Sequence, residues 1–372
     1  MALSTVLSPK ELRRTARQLA LPGFGIAQQE QLHNAHVLVI GAGGLGCPAM
    51  QSLASAGVGT ITVIDDDVVD ISNIHRQILF GAQDVGQSKV EVAAQRLQQL
   101  QPDIKVNALH ERITTANAVE LLQDVDLVLD GSDSFSTKYL VADAAEITST
   151  PLVWATVLRF HGEVALFHSG QKLRGVGLRD VFPIQPGADF VPDCATAGVL
   201  GATTATIGAL MATHAIGVLT GRDDVTPGML LSYDAFPAGM RSFNISADPA
   251  RPLVKELAEN YGDPTCAVNS ATTADQEEAQ RLLNAVQAGN MCALDIREPH
   301  EVVLKDLPHD IPTIKLPLST ITSEAELKEQ LAGIEQDIVV YCASSKRSAD
   351  FVRTYAHLEH QLFSLPGGVN AL

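Results

Sequence analysis

Glycine residues that could bind phosphate follow directly on an apolar run near the N-terminus. Gly41, Gly43 and Gly46 fit the pattern G-x-G-x-x-G, with Gly44 inside it, and residues 37–40 before them are Val, Leu, Val and Ile. Such glycines let the backbone turn tightly and approach phosphate, whose negative charge is stabilised by the N-terminus of the next helix. The pattern predicts a nucleotide-binding loop between a buried parallel strand and a helix.

Polar residues after the second predicted strand suit the same ligand. Asp65 lies 19 residues after Gly46, about the spacing at which a carboxylate reaches a ribose hydroxyl. The polar residues that follow it are Asp67, Asn73, Arg76, Gln77 and Lys89. Cations at these positions suit charge that builds up on a reacting polyphosphate, whereas hydride transfer to nicotinamide needs a dry pocket. The residues alone leave an NAD-dependent oxidoreductase as the alternative to an enzyme of phosphate chemistry.

A second reactive group lies near the C-terminus, at the end of another apolar run. Cys342 follows residues 337–341, and the loop after it consists of Ala343, Ser344, Ser345, Lys346 and Arg347. Successive backbone N–H groups, a helix N-terminus and two cations all favour the thiolate form of a cysteine. The segment predicts a nucleophilic cysteine between a strand and a helix, and a buried core cysteine is the alternative.

Strands, helices and breaks in the chain must position these two groups. Ser8 and Pro9 predict the start of a helix that runs to about Leu19. Residues 198–219 lack Lys, Arg, Asp and Glu, but their Gly, Ala and Thr content favours a buried helix over a membrane span. Residues 246–275 are rich in Pro, Gly and small polar residues, which predicts a boundary between two domains.

Composition narrows the class of protein. The chain has 372 residues, of which 46% are hydrophobic and 19% charged, as expected for two globular domains. Its formal net charge of −17 provides no basic excess, so no nucleic-acid partner and no membrane insertion are expected. The five cysteines are scattered and no signal peptide is apparent, so we expect free thiols and a cytoplasmic location.

Residues 13–245 resemble the ThiF/MoeB/HesA family, which is related to the ubiquitin-activating enzymes. The matching segments are residues 17–18, 21–25, 41–46, 55–59, 64–67, 72–77, 85–90, 126–130 and 194–199. The resemblance implies a Rossmann-like doubly wound α/β fold and a homodimer. It also implies ATP-dependent adenylation of the C-terminal glycine of a ubiquitin-like sulfur carrier that ends in Gly-Gly.

The same resemblance implies roles for individual residues. Asp133 would bind Mg²⁺ together with ATP, Arg76 and Lys89 would stabilise phosphate charge, and Arg17 would reach the phosphates of the neighbouring subunit. Cys194 matches a cysteine that joins the carrier covalently in some members, while a structural role in its loop is the alternative. Ser134 is a departure, because asparagine commonly follows the metal-binding acid.

Residues 277–372 resemble a rhodanese domain. The matching segments are residues 294–301, the loop from Cys342 to Arg347 and residues 365–369. The resemblance implies that Cys342 carries a persulfide, supplied by thiosulfate or a cysteine desulfurase. Ser345 is a departure, since glycine is frequent at its position. We therefore expect an adenylation domain at residues 1–248, a linker at 249–275 and a small α/β rhodanese-like domain at 276–372.

One departure from the ThiF/MoeB/HesA pattern concerns metal. Bacterial relatives of this kind hold structural zinc with two Cys-x-x-Cys pairs, which would fall at residues 177–180 and about residues 249–252. Neither segment contains cysteine. We expect no zinc, with the region held by packing alone. A scaffold that holds a sulfur carrier without catalysis is a further alternative to the enzyme.

Overall fold

Two sheets organise the chain, one in each of two compact units, Met1–Pro264 and Thr265–Leu372. The structure is a computed structural model that describes residues 5–186, 198–262, 273–308, 311–358 and 360–371. The predicted site residue Cys194 lies outside these ranges. The predicted boundaries at residues 248 and 276 stay a prediction.

The first unit contains an eight-stranded sheet in the order β3-β2-β1-β4-β5-β6-β7-β8. Its strands are β1 (His36–Ile40), β2 (Thr60–Ile64), β3 (Lys105–Leu109), β4 (Leu127–Asp130), β5 (Leu152–Leu158), β6 (His161–Phe167), β7 (Met229–Ala235) and β8 (Ala238–Asn244). The five strands from β3 to β5 pair in parallel, and β6, β7 and β8 continue the sheet in antiparallel pairs. The carboxyl ends of β1, β2 and β4 consequently meet at one edge, where the glycine loop begins.

Helices cover both faces of this sheet, which gives the doubly wound α/β arrangement. They are α1 (Pro9–Arg14), α2 (Ala16–Leu19), α3 (Ile26–Asn34), α4 (Gly46–Ala56), α5 (Lys89–Leu100), α6 (Ala118–Gln123), α7 (Phe135–Thr148), α8 (Leu178–Val181) and α9 (Gly201–Leu219). One hydrophobic core lies on the α4 face and includes Met50 and Leu53. The other lies on the α7 face and includes Tyr139 and Trp154.

The N-terminal segment differs from the single helix predicted to Leu19. Ser8 caps the first helix as expected, accepting a hydrogen bond from Glu11 N at 3.1 Å, with Pro9 in the first turn. The helix ends at Thr15, whose hydroxyl donates to the carbonyl of Glu11 at 2.8 Å. A hydroxyl that bonds back to the preceding turn competes with the helical pattern, and α2 starts again at Ala16.

Helix α9 is long and apolar enough in composition to cross a membrane. It packs instead against α4, β5 and β6, with Ile207, Met211 and Ala215 buried in the core of the first unit. Core helices of globular proteins share this composition, as predicted for residues 198–219.

The second unit holds a four-stranded sheet in the order β10-β9-β11-β12, and all described pairs are parallel. Its strands are β9 (Met291–Asp295), β10 (Thr313–Lys315), β11 (Asp337–Tyr341) and β12 (Leu362–Ser364). Its helices are α10 (Thr273–Gln287), α11 (Pro299–Leu304), α12 (Glu324–Leu331) and α13 (Lys346–Thr354). Two apolar clusters cover the two faces of the sheet, so this unit is a small α/β domain with its own core.

Ion pairs join the two segments, residues 177–180 and about residues 249–252, at which the zinc-binding Cys-x-x-Cys pairs of bacterial relatives would fall. The guanidinium of Arg251 donates to Glu146 at 2.7 and 2.9 Å and to Asp180 at 2.9 and 3.0 Å. Asp180 also accepts from Gly177 N, from Asp248 N and from Arg174. The expectation that packing alone holds this region is therefore wrong. We call Glu146, Arg174, Asp180 and Arg251 the ionic clamp.

Hydrogen bonds keep the acids of the clamp ionised. The side chains of Asp180, Glu146 and Arg251 are 0, 6 and 10% exposed. Burial works against the charged carboxylates, but the bonds from Arg251 and from backbone N–H groups outweigh it and lower the pKa of both Glu146 and Asp180. The clamp holds residues 248–254 on α7 and α8 by charge.

The first prediction tests the clamp. Replacing Arg251 with methionine leaves two buried carboxylates without their main partner, so we expect a loss of about 3–5 kcal/mol of stability. Because the pKa of each acid is lowered by folding, its stabilisation is complete above its ordinary pKa and is lost as the pH falls. Thermal unfolding of parent and R251M should therefore differ fully above about pH 5, and the difference should shrink as the pH falls below 4.5 and 3.8, the ordinary pKa values of the Glu146 and Asp180 carboxyls.

Two controls belong to that experiment. Arg222→Met breaks an exposed pair with Asp224 and should leave the unfolding midpoint unchanged. A chelator should also leave the parent unchanged, and elemental analysis of the protein should find no zinc. Near-stoichiometric zinc would contradict the expected absence of a zinc site, and equal midpoints for parent and R251M would contradict the clamp.

Candidate functional site

The glycine loop connects β1 to α4 and lies against the turn that follows β4. Gly41 has φ of +88°, and a Cβ at this position would lie 3.1 Å from the carbonyl oxygen of Gly131. A Cβ at Gly46 would collide with the carbonyl oxygen of Gly41. Both positions therefore need glycine. At Gly41 the loop approaches the turn after β4 backbone to backbone, and at Gly46 the loop folds back on its own main chain. The loop opens at the carboxyl edge of the sheet, at the N-terminus of α4, where a phosphate is stabilised.

Asp65 braces this loop from the end of β2. Its Oδ2 accepts from Ala42 N at 2.7 Å, and its Oδ1 accepts from Asp67 N at 2.9 Å. Burial raises the pKa of Asp65, although the charge of Lys89 works in the opposite direction. The structure thus places Asp65 beside the loop, where the spacing predicted it, and gives it a bracing contact that the sequence did not reveal.

Lys89 is held at the same edge by an acid. Its ammonium group lies 2.7 Å from Asp67 Oδ2, and its side chain is 6% exposed while that of Asp67 is 65% exposed. The pair places a buried cation next to the acids that end β2. A polyanionic ligand could compete for this cation, because the partner carboxylate is free to turn into solvent.

Arg76, Gln77 and Asn73 follow on the segment after β2. Gln77 is buried, and its Oε1 has no hydrogen-bond partner among the described residues. Its Nε2 would lie 3.9 Å from a Cβ added at Gly43. Arg76 donates to Ser72 O and to His75, and Asn73 accepts from Asp70 N. An unsatisfied buried amide beside a glycine loop is the observation that fits a polar ligand there.

Asp133 stands exposed just after β4, at the same edge. Ser134 next to it caps α7, accepting from Thr137 N at 3.2 Å. Serine at this departure from the family pattern thus still starts the helix that follows the acid. An exposed carboxylate at the edge of a phosphate loop suits Mg²⁺, which usually binds one or two carboxylates plus phosphate oxygens.

Sequence reasoning missed a buried pair behind Asp133. Lys138 lies 3.3 Å from Asp130 Oδ2 and donates to the carbonyl of Ala155 at 2.6 Å, with its ammonium 5.6 Å from the ring centroid of Trp154. Asp130 also accepts from Ser132 N at 3.0 Å. The pair fixes the turn that carries Asp133. A lysine in the first turns of α7 was the signal, but its burial could not be read from the sequence.

Arg17 does not join the other predicted residues within its own subunit. It is exposed on α2, and the neighbouring Gln18 donates to Ala56 O at the carboxyl end of α4. The glycine loop lies at the other end of this 11-residue helix, a distance of about 16 Å at 1.5 Å per residue. Arg17 makes no hydrogen bond or ion pair within the described ranges.

The cysteine loop of the second unit joins β11 to α13. Cys342 directly follows β11 and is buried, and the carbonyl of Cys342 accepts from Val369 N at 3.0 Å. Ser345 has φ of +68°, the left-handed conformation in which glycine is frequent, so the serine keeps the loop geometry that this departure put in question. Arg347 forms a bidentate pair with Glu301, with one N–O distance of 2.8 Å. Ala343, Ser344 and Lys346 complete the turn.

Other thiols differ from Cys342 in their surroundings. Cys47 lies inside α4, where burial raises the pKa of its thiol to about 12. Cys292 on β9 is half-buried, and burial raises its pKa as well. Among the described cysteines, only Cys342 has basic residues in the loop that leads from it into the next helix.

Two family models match the chain. The ThiF family matches residues 15–253, and the rhodanese-like domain matches residues 275–372. The probable adenylyltransferase/sulfurtransferase MoeZ of Mycobacterium tuberculosis is 40% identical over 357 residues, covering 93% of this chain and 88% of that protein. The adenylyltransferase and sulfurtransferase MOCS3 of Drosophila sechellia is 34% identical over 395 residues, covering 100% and 84%. Both predicted resemblances are confirmed.

A shorter relative and solved structures agree with the first unit. The sulfur carrier protein adenylyltransferase of Thermus thermophilus is 45% identical over 246 residues, covering 66% of this chain and 91% of that protein. Escherichia coli MccB crystallised with ATP has a TM-score of 0.57 at 19% identity, covering 68% of this chain and 75% of MccB. PaaA has a TM-score of 0.55 at 22% identity, covering 66% and 76%. These structures confirm the predicted α/β fold.

The second prediction tests whether the glycine loop binds the nucleotide, using a substitution that should not disturb folding. A methyl group at Gly43 would meet only Gln77 Nε2 at 3.9 Å and Gly131 O at 4.0 Å, so Gly43→Ala should fold normally. It would fill the space beside the loop, and we expect ATP to bind at least about tenfold more weakly. Titration calorimetry measures the affinity, and Gly239→Ala in β8 is the matched control. Parental affinity for ATP in G43A would contradict the assignment of the glycine loop as the ATP-binding site.

Proposed function

The chain belongs to the ThiF family and carries a rhodanese-like domain, and from this premise we propose that it adenylates a ubiquitin-like sulfur carrier and then thiocarboxylates it. The observation that carries the proposal is the edge of the sheet at the glycine loop, whose groups suit phosphate. The same chain also contains the loop that begins with Cys342. Relatives named as adenylyltransferases and sulfurtransferases, matched along nearly the whole chain, support the same activity.

In the proposed first step, the terminal carboxylate of the carrier's Gly-Gly end attacks the α-phosphorus of ATP. A new P–O bond forms, the bond to the β-phosphate breaks, and pyrophosphate leaves. The work of the protein in such a step is positioning and electrostatic stabilisation. Gly41, Gly43, Gly44 and Gly46 would line the phosphates with backbone N–H groups.

Side chains at the same edge complete the proposed site. Asp65 would accept from the ribose, and Asn73, Gln77 and Asp67 would fix the nucleotide beside it. Arg76 and Lys89 would neutralise charge as pyrophosphate departs, with Lys89 exchanging Asp67 for phosphate. Asp133 would hold Mg²⁺ with the phosphates, and the ion would supply further charge neutralisation.

In the proposed second step, sulfur reaches the activated carrier. The terminal sulfur of a Cys342 persulfide attacks the acyl carbonyl and expels AMP, which leaves an acyl disulfide. A second thiol then attacks the cysteine sulfur, so that the carrier leaves as a thiocarboxylate. A thiol reductant would next free Cys342 from the disulfide that it now forms with the second thiol, and thiosulfate or a cysteine desulfurase would then restore the persulfide. The second thiol would be a thiol reductant, and Cys194 would be a further nucleophile that joins the carrier covalently, with a structural role in its loop as the alternative.

Partner and location follow from the same proposal. The carrier belongs to a molybdopterin, thiamine or related sulfur-transfer route, and the enzyme works in the cytoplasm as a homodimer. An NAD-dependent oxidoreductase is not favoured, because the relatives are adenylyltransferases and the cluster of Arg76 and Lys89 suits phosphate chemistry. A scaffold without catalysis would have no use for this cluster.

The third prediction tests whether Arg17 acts on the neighbouring subunit. Arg17→Ala and Asp133→Ala should each abolish pyrophosphate exchange into ATP. In a mixed dimer, the subunit with intact Asp133 receives Arg17 from its partner, so one site of two is complete. Equal mixing under subunit exchange should restore roughly a quarter of the parental exchange rate.

Two results would contradict this arrangement. If the mixture stays as inactive as its components although exchange of subunits is verified by mass, Arg17 acts within its own subunit. If Asp133→Ala alone retains exchange, Asp133 is not the metal-binding acid. Arg13→Ala, on the same exposed N-terminal segment, is the control and should exchange normally.

The fourth prediction separates sulfur transfer from adenylation. Cys342→Ala should leave pyrophosphate exchange nearly unchanged, because no step of adenylation uses this thiol. It should stop thiocarboxylation, which intact-mass measurement detects as a gain of about 16 Da when sulfur replaces oxygen at the acyl end formed by this covalent route. Cys292→Ala is the control and should behave as the parent.

Cys194→Ala belongs to the same series. The effects of nucleophiles that act in one relay are not additive, so we expect Cys194→Ala to reduce thiocarboxylation by as much as Cys342→Ala or by less. Thiocarboxylation at the parental rate in the Cys342→Ala protein would show that the rhodanese-like domain is a docking or regulatory module.

A further inference from the structure

A buried hydroxyl lies against the sulfur of Cys342. The thiol donates to Ser348 Oγ at an S–O distance of 3.6 Å, and Ser348 is fully buried in the first turn of α13. Ser348 Oγ donates in turn to the carbonyl of Ser345 at 2.9 Å, and lies 2.8 Å from Ser364 Oγ at the end of β12. Three elements therefore bring a thiol and two hydroxyls into one contact chain.

The available protons and lone pairs determine which hydrogen bonds Cys342, Ser348 and Ser364 can form with one another. A serine hydroxyl has one proton to donate and two lone pairs to accept with. While Cys342 is a thiol, Ser348 accepts from the sulfur and donates to Ser345 O. When the sulfur is a thiolate, it has no proton to give and needs a donor. Ser348 can turn its proton to the sulfur at little loss, because Ser345 O also accepts from Ala349 N at 2.8 Å.

Ser364 makes that reversal possible. Once Ser348 donates to the sulfur, Ser364 can donate to Ser348 Oγ, so that both hydroxyls keep a partner. A buried charge with a satisfied donor behind it is far less costly than one in apolar surroundings. The remaining neighbours in this core cluster are apolar, among them Leu294, Leu327 and Phe351. They offer the sulfur no hydrogen bond.

We propose that Ser348, backed by Ser364, is the positioning residue that stabilises the thiolate form of Cys342 when sulfur is loaded onto it and when its disulfide is reduced. The inference deepens the proposed sulfur transfer and rests on it. In loading, the thiolate attacks the sulfane sulfur of thiosulfate or of a persulfide. The donor S–S bond breaks, its electron pair leaves with sulfite or the donor thiolate, and a new S–S bond forms at Cys342. When the disulfide that remains at Cys342 after release of the carrier is reduced by a thiol, Cys342 is the leaving thiolate.

The charged groups around the Cys342 thiol are unchanged in the serine variants that test this proposal. Arg347 of α13 pairs with Glu301 of α11, Glu298 lies beyond it, and Lys346 is in the loop itself. Substituting the two serines leaves these charges in place. A change in the titration of Cys342 would therefore come from the hydroxyls.

The experiment measures the pH dependence of alkylation at Cys342 by iodoacetamide, resolved from the other cysteines by peptide mass spectrometry. The midpoint of the curve reports the thiol pKa, independently of how slowly the reagent reaches a buried group. Ser348→Ala should raise the midpoint by about one pH unit, so that alkylation at neutral pH is roughly tenfold slower. Ser364→Ala should raise it less, and Ser348→Thr should restore it.

Ser344→Ala is the matched control, because it removes an exposed hydroxyl from the same loop and should leave the midpoint unchanged. Thermal unfolding verifies that each variant is folded. If Ser348→Ala does not fold, Ser364→Ala on a different element decides the question. A parental midpoint in Ser364→Ala, or in a folded Ser348→Ala, would overturn the proposal.

Sulfur loading is measured in parallel with thiosulfate and with a cysteine persulfide. The Ser348→Ala protein should lose roughly tenfold in kcat/KM at neutral pH and recover part of it at higher pH. If the parent accepts sulfur from neither donor, the proposed sulfur transfer fails. The alkylation midpoints would still show whether the two hydroxyls stabilise the thiolate.

Discussion

The close approach of two backbone turns is the constraint on which the first unit depends. Gly41 and Gly131 leave room only for main-chain atoms between the ends of β1 and β4. This contact places the glycine loop and the turn that carries Asp133 side by side. Asp65 then ties the loop to β2 through Ala42, and Asp130 and Lys138 tie the turn to α7 and β5. Contacts within the protein therefore fix the geometry of this edge, as electrostatic catalysis requires.

Charge performs a structural task elsewhere in this unit. The ionic clamp joins Arg251 to acids that lie 71 and 105 residues earlier in the chain. A second pair repeats the pattern, with Arg179 donating to Asp143 at 2.7 and 2.8 Å and Tyr261 donating to the same carboxylate. The segment from residue 248 to residue 261 thus lies across α7 and α8 through polar contacts. Such contacts fix this segment in one position, because each buried carboxylate must lie within hydrogen-bonding distance of its donors.

The sequence predicted the elements better than the contacts between them. The glycine pattern and the spacing to Asp65 were sufficient for β1, α4 and β2, because both are local in the chain and follow from backbone geometry. The clamp could not be predicted, since nothing local relates Arg251 to Glu146. Lys138 and Ser348 were missed for a similar reason: whether a polar side chain is buried depends on the packing of distant strands. The resemblance assigned Arg17 to the phosphates of the neighbouring subunit, and its distance from the glycine loop of its own subunit became visible only in the fold.

The glycine loop and the Cys342 loop are subject to opposite physical requirements. In the proposed reaction, the edge at the glycine loop binds a polyanion, and Lys89, paired with an exposed Asp67, could exchange that partner for it. Cys342 would instead carry a single sulfur atom, and it is enclosed in an apolar cluster in which the Ser348 and Ser364 hydroxyls are its polar contacts. A persulfide exposed to solvent would react with any thiol that collided with it. Burial limits that loss but penalises the thiolate, and a hydroxyl that can reverse its hydrogen bond reconciles the two requirements.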